Sequence, residues 1–393
     1  QENLAGVRVV KAFVRERLEN ERFEQRADAM RHPAFDAAFR VALLNPLLTA
    51  IAQIFIGSAI WIGGRQVLSG TGLSVGELVM FTQFLTLVVT PLALMAVVVP
   101  FILRGDASAT RLFQVYDAPP TVQDKLGAQP LDPQKVNGRI AFEDVSFAFR
   151  RLDGELDPPA VKNISLTIEP GERVGILGAT GAGKTALVNL LPRFYDVTDG
   201  RITIDGVDVR DIPLGNLRQI VGIALQEALL FQGDIRFNLK FGAPHAEDAV
   251  MAAAAQAADA YGFVANLPEK WDAPVARRGY NFSGGQRQRL GISRTLTTLP
   301  RILVLDDSTS ALDVATESRV QGAIPGFTNN VTTIYIAQRI SAVIDLDKIV
   351  LLENGAIVAI GNHEELMVSS PLYQEIYESQ LGGGVTAGLE VAQ

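Results

Sequence analysis

Arg173-Val-Gly-Ile-Leu177 runs without a break into Gly178-Ala-Thr-Gly-Ala-Gly-Lys-Thr185 and then into the apolar stretch Ala186-Leu-Val-Asn-Leu-Leu191. A short apolar strand, a glycine-rich loop and a helix in that order form a phosphate-binding element. Glycines let successive backbone N–H groups converge on phosphate oxygens, and the helix start adds the positive end of its dipole. Lys184 has the reach for β- and γ-phosphates, and the Thr185 hydroxyl is a ligand for Mg²⁺. The candidate nucleotide contacts are therefore Gly178, Thr180, Gly181, Ala182, Gly183, Lys184, Thr185 and Ala186. Further on, Ile302-Leu-Val-Leu-Asp306-Asp307 reads as a buried parallel strand ending in two carboxylates at the sheet edge where such folds bind ligands. Alone, that pattern is ordinary loop chemistry. Paired with the glycine loop, it places Asp306 in the shell of a nucleotide-bound Mg²⁺.

Working outward, the 393 residues are 48% hydrophobic and 20% charged, enough for two or three units with real cores. The net charge of −8 is uneven: residues 1–118 carry 11 Lys/Arg against 10 Asp/Glu, and the remainder 24 against 33. An acidic second half argues against a nucleic-acid partner. Without cysteine the chain has neither disulfides nor thiolate metal sites, so any metal must sit on oxygen ligands. The chain opens on Gln1 in a charged stretch, without an initiator Met or a signal sequence, and is expected to be a fragment.

Residues 41–64 and 78–103 are free of formal charge, and each run is long enough to cross about 30 Å of hydrocarbon as a helix. Pro46, Pro91 and Pro100 do not object, since kinks are tolerated in membrane helices. The connector between Arg65 and Glu77 holds Gly70, Thr71 and Gly72, so the spans form a hairpin. Eight Lys/Arg precede the first span and Arg104 and Arg111 follow the second, against Arg65 alone in the connector, which puts both flanks in the cytoplasm. Residues 1–40 read as a helix continuing beyond the bilayer. Residues 119–138 hold several prolines and no sustained periodicity, and read as a linker. From 139 to 381, strands and helices intermix as in an α/β domain, and 382–393 is a Gly-rich tail.

Phe282-Ser-Gly-Gly-Gln286, twenty residues ahead of the second strand, resembles the signature motif of ABC transporter ATPases. The resemblance implies an α/β P-loop NTPase domain with a helical subdomain, preceded by an all-α transmembrane region. It further implies that Ser283, Gly284, Gly285 and Gln286 contact nucleotide, that Gln226 is the metal-sensing glutamine, that Phe149 stacks on adenine, and that Ser310-Ala-Leu-Asp313 crosses between two nucleotide domains. Residues 1–118 resemble the last two transmembrane helices of an exporter-type half-transporter, with a coupling helix at about residues 11–20 that docks on the opposite subunit's ATPase. On that resemblance, this chain is expected to be a fragment lacking the first four helices of such a half.

Three positions depart from the family pattern. Asp307 stands where efficient hydrolases of the family have Glu, Gln338 where they have a switch histidine, and Arg277 where exporters usually have an acid. A glutamine donates hydrogen bonds but neither becomes a cation nor shuttles protons near neutral pH. His363 matches a structural element further down the chain, and a surface role is expected for it. The chain thus resembles the degenerate-site subunit of a heterodimeric bacterial exporter. It is expected to bind ATP and Mg²⁺ at a slow site with Asp307, Gln338 and Gln226 at its centre, and to lend its signature to a paralogous partner in the membrane. The alternative is a homodimeric, nucleotide-gated binding subunit with little turnover. A small amphipathic cargo suits the wall formed by Gln53, Trp61, Thr82, Gln83, Phe84 and Thr86.

Overall fold

The computed structural model describes residues 6–381 except 71, 152, 153, 328 and 329, so the 382–393 tail lies outside the described residues. The chain divides into two units, Gln1–Pro119 and Pro120–Gln393.

The first unit is helical. A short helix, Val7–Ala12, ends in a turn at residues 13–15 in which Val14 has φ 50°, and a 53-residue helix then runs Glu16–Leu68. Residues 11–20, expected as one helix, therefore contain a break: the left-handed Val14 ends one helix and Glu16 starts the next. The long helix keeps its course through Pro33 and Pro46, and its most apolar 18-residue window has mean hydropathy 1.7 with only 11% buried. A second helix, Val75–Tyr116, contains the 78–103 uncharged run. Its start is fixed by a capping box: the Ser74 hydroxyl accepts from the Glu77 N–H at 3.3 Å, and the Glu77 carboxylate accepts from the Ser74 N–H at 2.8 Å. The two helices pack closely at Gly63, where a Cβ would lie 2.4 Å from Leu78 Cδ1. Ile54, Phe55, Trp61 and Ile62 remain exposed, as suits a segment whose surroundings are hydrocarbon or further helices.

The second unit is α/β. Its strands are β1 (Ile140–Phe147), β2 (Val161–Ile168), β3 (Arg173–Leu177), β4 (Asp199–Ile204), β5 (Val207–Asp208), β6 (Val221–Ala224), β7 (Gly233–Asp234), β8 (Pro274–Val275), β9 (Ile302–Asp306), β10 (Thr332–Ala337), β11 (Lys348–Glu353) and β12 (Ala356–Gly361). Six form one sheet in the order β12-β11-β3-β10-β9-β6, parallel except for β12 at the edge. β2-β1-β4-β5 form an antiparallel sheet. Apolar side chains of both sheets enclose Leu187, Val188, Leu190 and Leu191 of the helix that follows the glycine loop. A separate cluster of Leu230, Ile235, Leu239, Met251, Val264 and Leu290 holds a helical subdomain together.

Residues 120–138 belong to this unit and are bound along it. Leu214 N–H donates to Asp124 at 2.7 Å, Lys125 pairs with Asp211 at 2.5 Å, and Arg301 donates to the carbonyls of Pro133 and Gln134, both at 2.9 Å. The buried Arg193 donates to the Gln123 carbonyl at 3.2 Å. Asn216 both accepts from the Leu131 N–H (2.8 Å) and donates to the Leu131 C=O (2.9 Å). The segment read as a linker is a strap, and the partners just named lie 70 or more residues away in sequence, beyond any local pattern. Replacing Asn216→Leu leaves two half-buried backbone groups unpartnered, which should cost about 1–3 kcal/mol in urea unfolding and speed hydrogen exchange across 123–137.

Candidate nucleotide site

β3 ends at Leu177 and the glycine loop turns back over the start of helix Lys184–Asn189. Two glycines are sterically required. A Cβ on Gly178 would lie 2.2 Å from the Leu352 carbonyl oxygen. Gly183 has φ 99°, and its Cβ would meet the Ala160 carbonyl at 2.3 Å. Lys184 is buried, and its ammonium donates to the Gly178 and Ala179 carbonyls at 2.6 and 2.9 Å. Burial lowers its pKa, while Asp307 and Asp306 oppose that shift. The lysine is thus folded onto its own loop, held where phosphate oxygens would take its hydrogen bonds.

The Thr185 hydroxyl donates to Asp306 Oδ1 at 3.1 Å, and Asp306 is only 2% exposed at the end of β9. Its pKa is raised, first by burial and then by the neighbouring Asp307 charge, against the Thr185 bond and the Lys184 charge. Asp307 has φ 47°, in the left-handed region, which turns its side chain into the site. One of its oxygens, Oδ2, accepts from Gln226 Nε2 at 3.2 Å and from Gln338 Nε2 at 3.1 Å. Burial raises its pKa too; Lys184, Gln338, Arg339 and Gln226 pull it back. Thr180 Oγ1 lies 3.5 Å from Gln338 Oε1, which ties the loop to the same cluster.

A cavity of about 340 Å³ gathers most of the candidates: Phe149, Thr180, Gly181, Gly183, Lys184, Thr185, Ala186, Gln226, Asp306, Asp307 and Gln338 all line it. Gly178 and Ala182 do not. Gly178 is pressed against Leu352, and Ala182 is buried, accepting from the Gly355 N–H at 3.1 Å. Ser283, Gly284, Gly285 and Gln286 are also absent from the lining. They start helix Gly284–Thr297 with a second capping box, in which Ser283 Oγ accepts from the Gln286 N–H at 3.2 Å and the Gln286 side chain accepts from the Ser283 N–H at 2.9 Å. Arg277 lies exposed in the turn Arg277–Gly279. His363 is half-buried rather than on the open surface, with Nδ1 2.9 Å from the hydroxyl of the buried Tyr373, whose pKa burial raises to about 12.

The sequence reading missed Tyr195 and Asn189, both in the lining. Phe149, in the loop after β1, meets Phe147 edge-on at 4.8 Å and Tyr195 edge-on at 5.3 Å, so Tyr195 is a second aromatic wall. Asn189 sits one helical turn after Thr185, a spacing legible in the sequence. The metal donors available are the Thr185 hydroxyl, the Asp306 carboxylate and the Gln226 amide oxygen, whose nitrogen is already engaged by Asp307. This all-oxygen set fits Mg²⁺, which takes few protein ligands alongside phosphate and water.

Residues 161–310 match the family model described as ABC transporter, and residues 1–92 match the ABC transporter transmembrane region. This chain belongs to the ABC transporters. It joins a transmembrane region to an ABC ATPase domain in one polypeptide and is a membrane protein with a cytoplasmic ATPase. It is 37% identical over 380 residues to the ATP-dependent lipid A-core flippase of Syntrophus aciditrophicus, covering 97% of this chain and 62% of that protein. A putative multidrug export ATP-binding/permease protein of Staphylococcus aureus (strain NCTC 8325 / PS 47) is likewise 37% identical, over 96% of this chain and 64% of that one. A solved structure of a bacterial Atm1-family ABC exporter with ATP bound superposes with TM-score 0.85 at 33% identity, covering 97% of this chain and 66% of its own. The ABC transporter chain described here thus spans 62 to 66% of the length of these relatives.

The raised pKa of Asp306 has a sign. An ionised group whose folded pKa lies above its ordinary 3.8 opposes folding at neutral pH, and the penalty fades as pH falls towards that value. Asp306→Asn in this ABC transporter should therefore raise the thermal midpoint without nucleotide at pH 7, by a margin that shrinks towards pH 4, while weakening Mg²⁺-dependent nucleotide binding. A lower midpoint at pH 7 would contradict the assignment.

Proposed function

We propose that this chain is one half of an ATP-driven exporter, that its own site holds ATP with Mg²⁺ and splits it slowly, and that residues 283–286 complete the competent site of a paralogous partner subunit. The observation that carries the reading is the grip on Asp307: two glutamine amides donate to the same carboxylate oxygen. A carboxylate that directs water for in-line attack needs an accepting oxygen within hydrogen-bond reach of that water. The Asp307 side chain is one methylene shorter than Glu, and a misplacement near 1 Å costs on the order of 10²-fold in rate. Gln338 occupies the switch position as a neutral donor, so it adds no positive charge beside the γ-phosphate.

In this reading the loop N–H groups and Lys184 bind the β- and γ-phosphates, with Lys184 exchanging its two carbonyl partners for phosphate oxygens. Phe149 offers a π-face to the base and Tyr195 closes the edge. Thr185, Asp306 and Gln226 would hold Mg²⁺, which when bound neutralises phosphate charge. The separation of Ser283 from the cavity supports its service to a nucleotide held by another chain.

The cargo we infer is amphipathic, in keeping with the lipid and multidrug names of the relatives. Trp61 and Phe84 are exposed, whereas Thr82 and Thr86 donate their hydroxyl protons to the Val79 and Thr82 carbonyls of their own helix, which leaves the wall more apolar than its composition suggests.

Single-turnover ATP hydrolysis at this chain's own site should rise about 10- to 10²-fold in Asp307→Glu combined with Gln338→His, with a smaller gain for Asp307→Glu alone. No gain from either would place the limit elsewhere and favour the homodimeric, nucleotide-gated subunit.

A further inference from the structure

Gln288 lies five residues into the chain from the Ser283 cap and is only 6% exposed. Both ends of its amide are engaged on one loop: Nε2 donates to Ser310 Oγ at 3.1 Å, and Oε1 accepts from the Ala311 N–H at 2.8 Å. The same loop begins at Asp307, whose carbonyl accepts from the Ser310 N–H at 3.2 Å, closing a tight turn behind the left-handed Asp307. The helix start is also in contact with the loop, since a Cβ on Gly285 would stand 3.1 Å from the Ala311 carbonyl and one on Gly284 3.5 Å from Ala311 Cβ. The far end is pinned on helix Val314–Phe327: Thr309 Oγ1 donates to Glu317 at 2.5 Å, and Asp313 accepts from the Thr316 N–H at 3.0 Å and the Thr316 hydroxyl at 2.8 Å.

We propose that Gln288 is a positioning residue: its two hydrogen bonds to Ser310 and Ala311 make the helix that begins at Ser283 and the turn that carries Asp307 one mechanical piece. The helix start serves a nucleotide held by a second chain, a premise taken from the function proposed above, while Asp307 faces the nucleotide of its own. Because Thr309 and Asp313 hold the loop on helix Val314–Phe327, a displacement of the helix start reaches the loop at Ser310 and Ala311 and passes along the turn to Asp307. Occupancy of one site therefore sets the placement of Asp307 in the other. A glutamine is suited to this because its amide presents a donor and an acceptor in one plane, which the loop meets with a hydroxyl oxygen and a backbone N–H.

The test uses the full-length transporter assembled in lipid nanodiscs, with single-turnover ATP hydrolysis at this chain's own site (the kcat compared below), total steady-state ATPase and thermal unfolding measured on each variant. Gln288→Met keeps the volume and removes both bonds. Gln288→Glu retains two acceptors, one for the Ala311 N–H and one for a Ser310 hydroxyl turned to donate. The expected result is a kcat about tenfold or more lower in Gln288→Met with KM held within about twofold, and recovery of most of the loss in Gln288→Glu. Ser310→Ala, which removes one bond from the exposed end, should show an intermediate kcat and decides the matter if Gln288→Met does not fold. An unchanged kcat in Gln288→Met or Ser310→Ala overturns the proposal. So does a Gln288→Glu variant as slow as Gln288→Met at an unshifted unfolding midpoint. Ser283→Ala separates the two levels: if it leaves total steady-state ATPase untouched, the service of one chain's signature to another's nucleotide fails, irrespective of Gln288.

Discussion

The parallel register of β3, β10 and β9 is the constraint on which the site depends. Leu177 pairs with Ala337, and Ile336 pairs with Asp306, so the three strands end together and the next residue of each, Gly178, Gln338 and Asp307, emerges at one sheet edge. All three strands are buried almost throughout, with alternate side chains packed into two different cores, so a shift of one residue would send each set into the wrong core. The glycine loop, Asp306, Asp307 and Gln338 are therefore gathered at one sheet edge by backbone pairing before any side chain chooses a partner.

That placement is electrostatically costly. Asp306 and Asp307 are adjacent, one buried and one half-buried, and both raised in pKa by burial, with Lys184 lowered beside them. Such a cluster is poor at stabilising a fold and well suited to receiving an anionic phosphate and a divalent cation together. The two glutamines temper the cluster without adding charge. Gln226 and Gln338 satisfy Asp307 through neutral amides, both donating to its Oδ2. In the function proposed above, the contacts that stabilise the empty site are also the ones that slow its chemistry.

The strand, loop and helix of the phosphate element were legible because their chemistry is local: glycines, lysine and threonine act within eight residues of each other. The two uncharged runs were legible as helices for the same reason, since each lies within one continuous segment, Glu16–Leu68 or Val75–Tyr116. What escaped is non-local. The strap at residues 120–138 is defined by Asn216, Asp211 and Arg301, none of which announces its partner in sequence. Tyr195 joins the site because a turn after the loop helix swings it against Phe149, and Gln288 looks like an unremarkable polar position on a helix until the 310–311 loop folds across it. The break at Val14 was missed because a valine with positive φ runs against its own propensity, and no composition rule flags it.

The proposed asymmetry, in which this chain holds ATP and a partner splits it, is tested most directly by steady-state ATP hydrolysis. The full-length polypeptide is purified alone and in complex with its paralogous partner, at saturating ATP and Mg²⁺ in the same lipid. The lone polypeptide should bind ATP yet turn it over about 10²-fold or more slowly than the pair, the deficit set by its short carboxylate and missing histidine. Turnover by the lone polypeptide at the rate of the pair would contradict it.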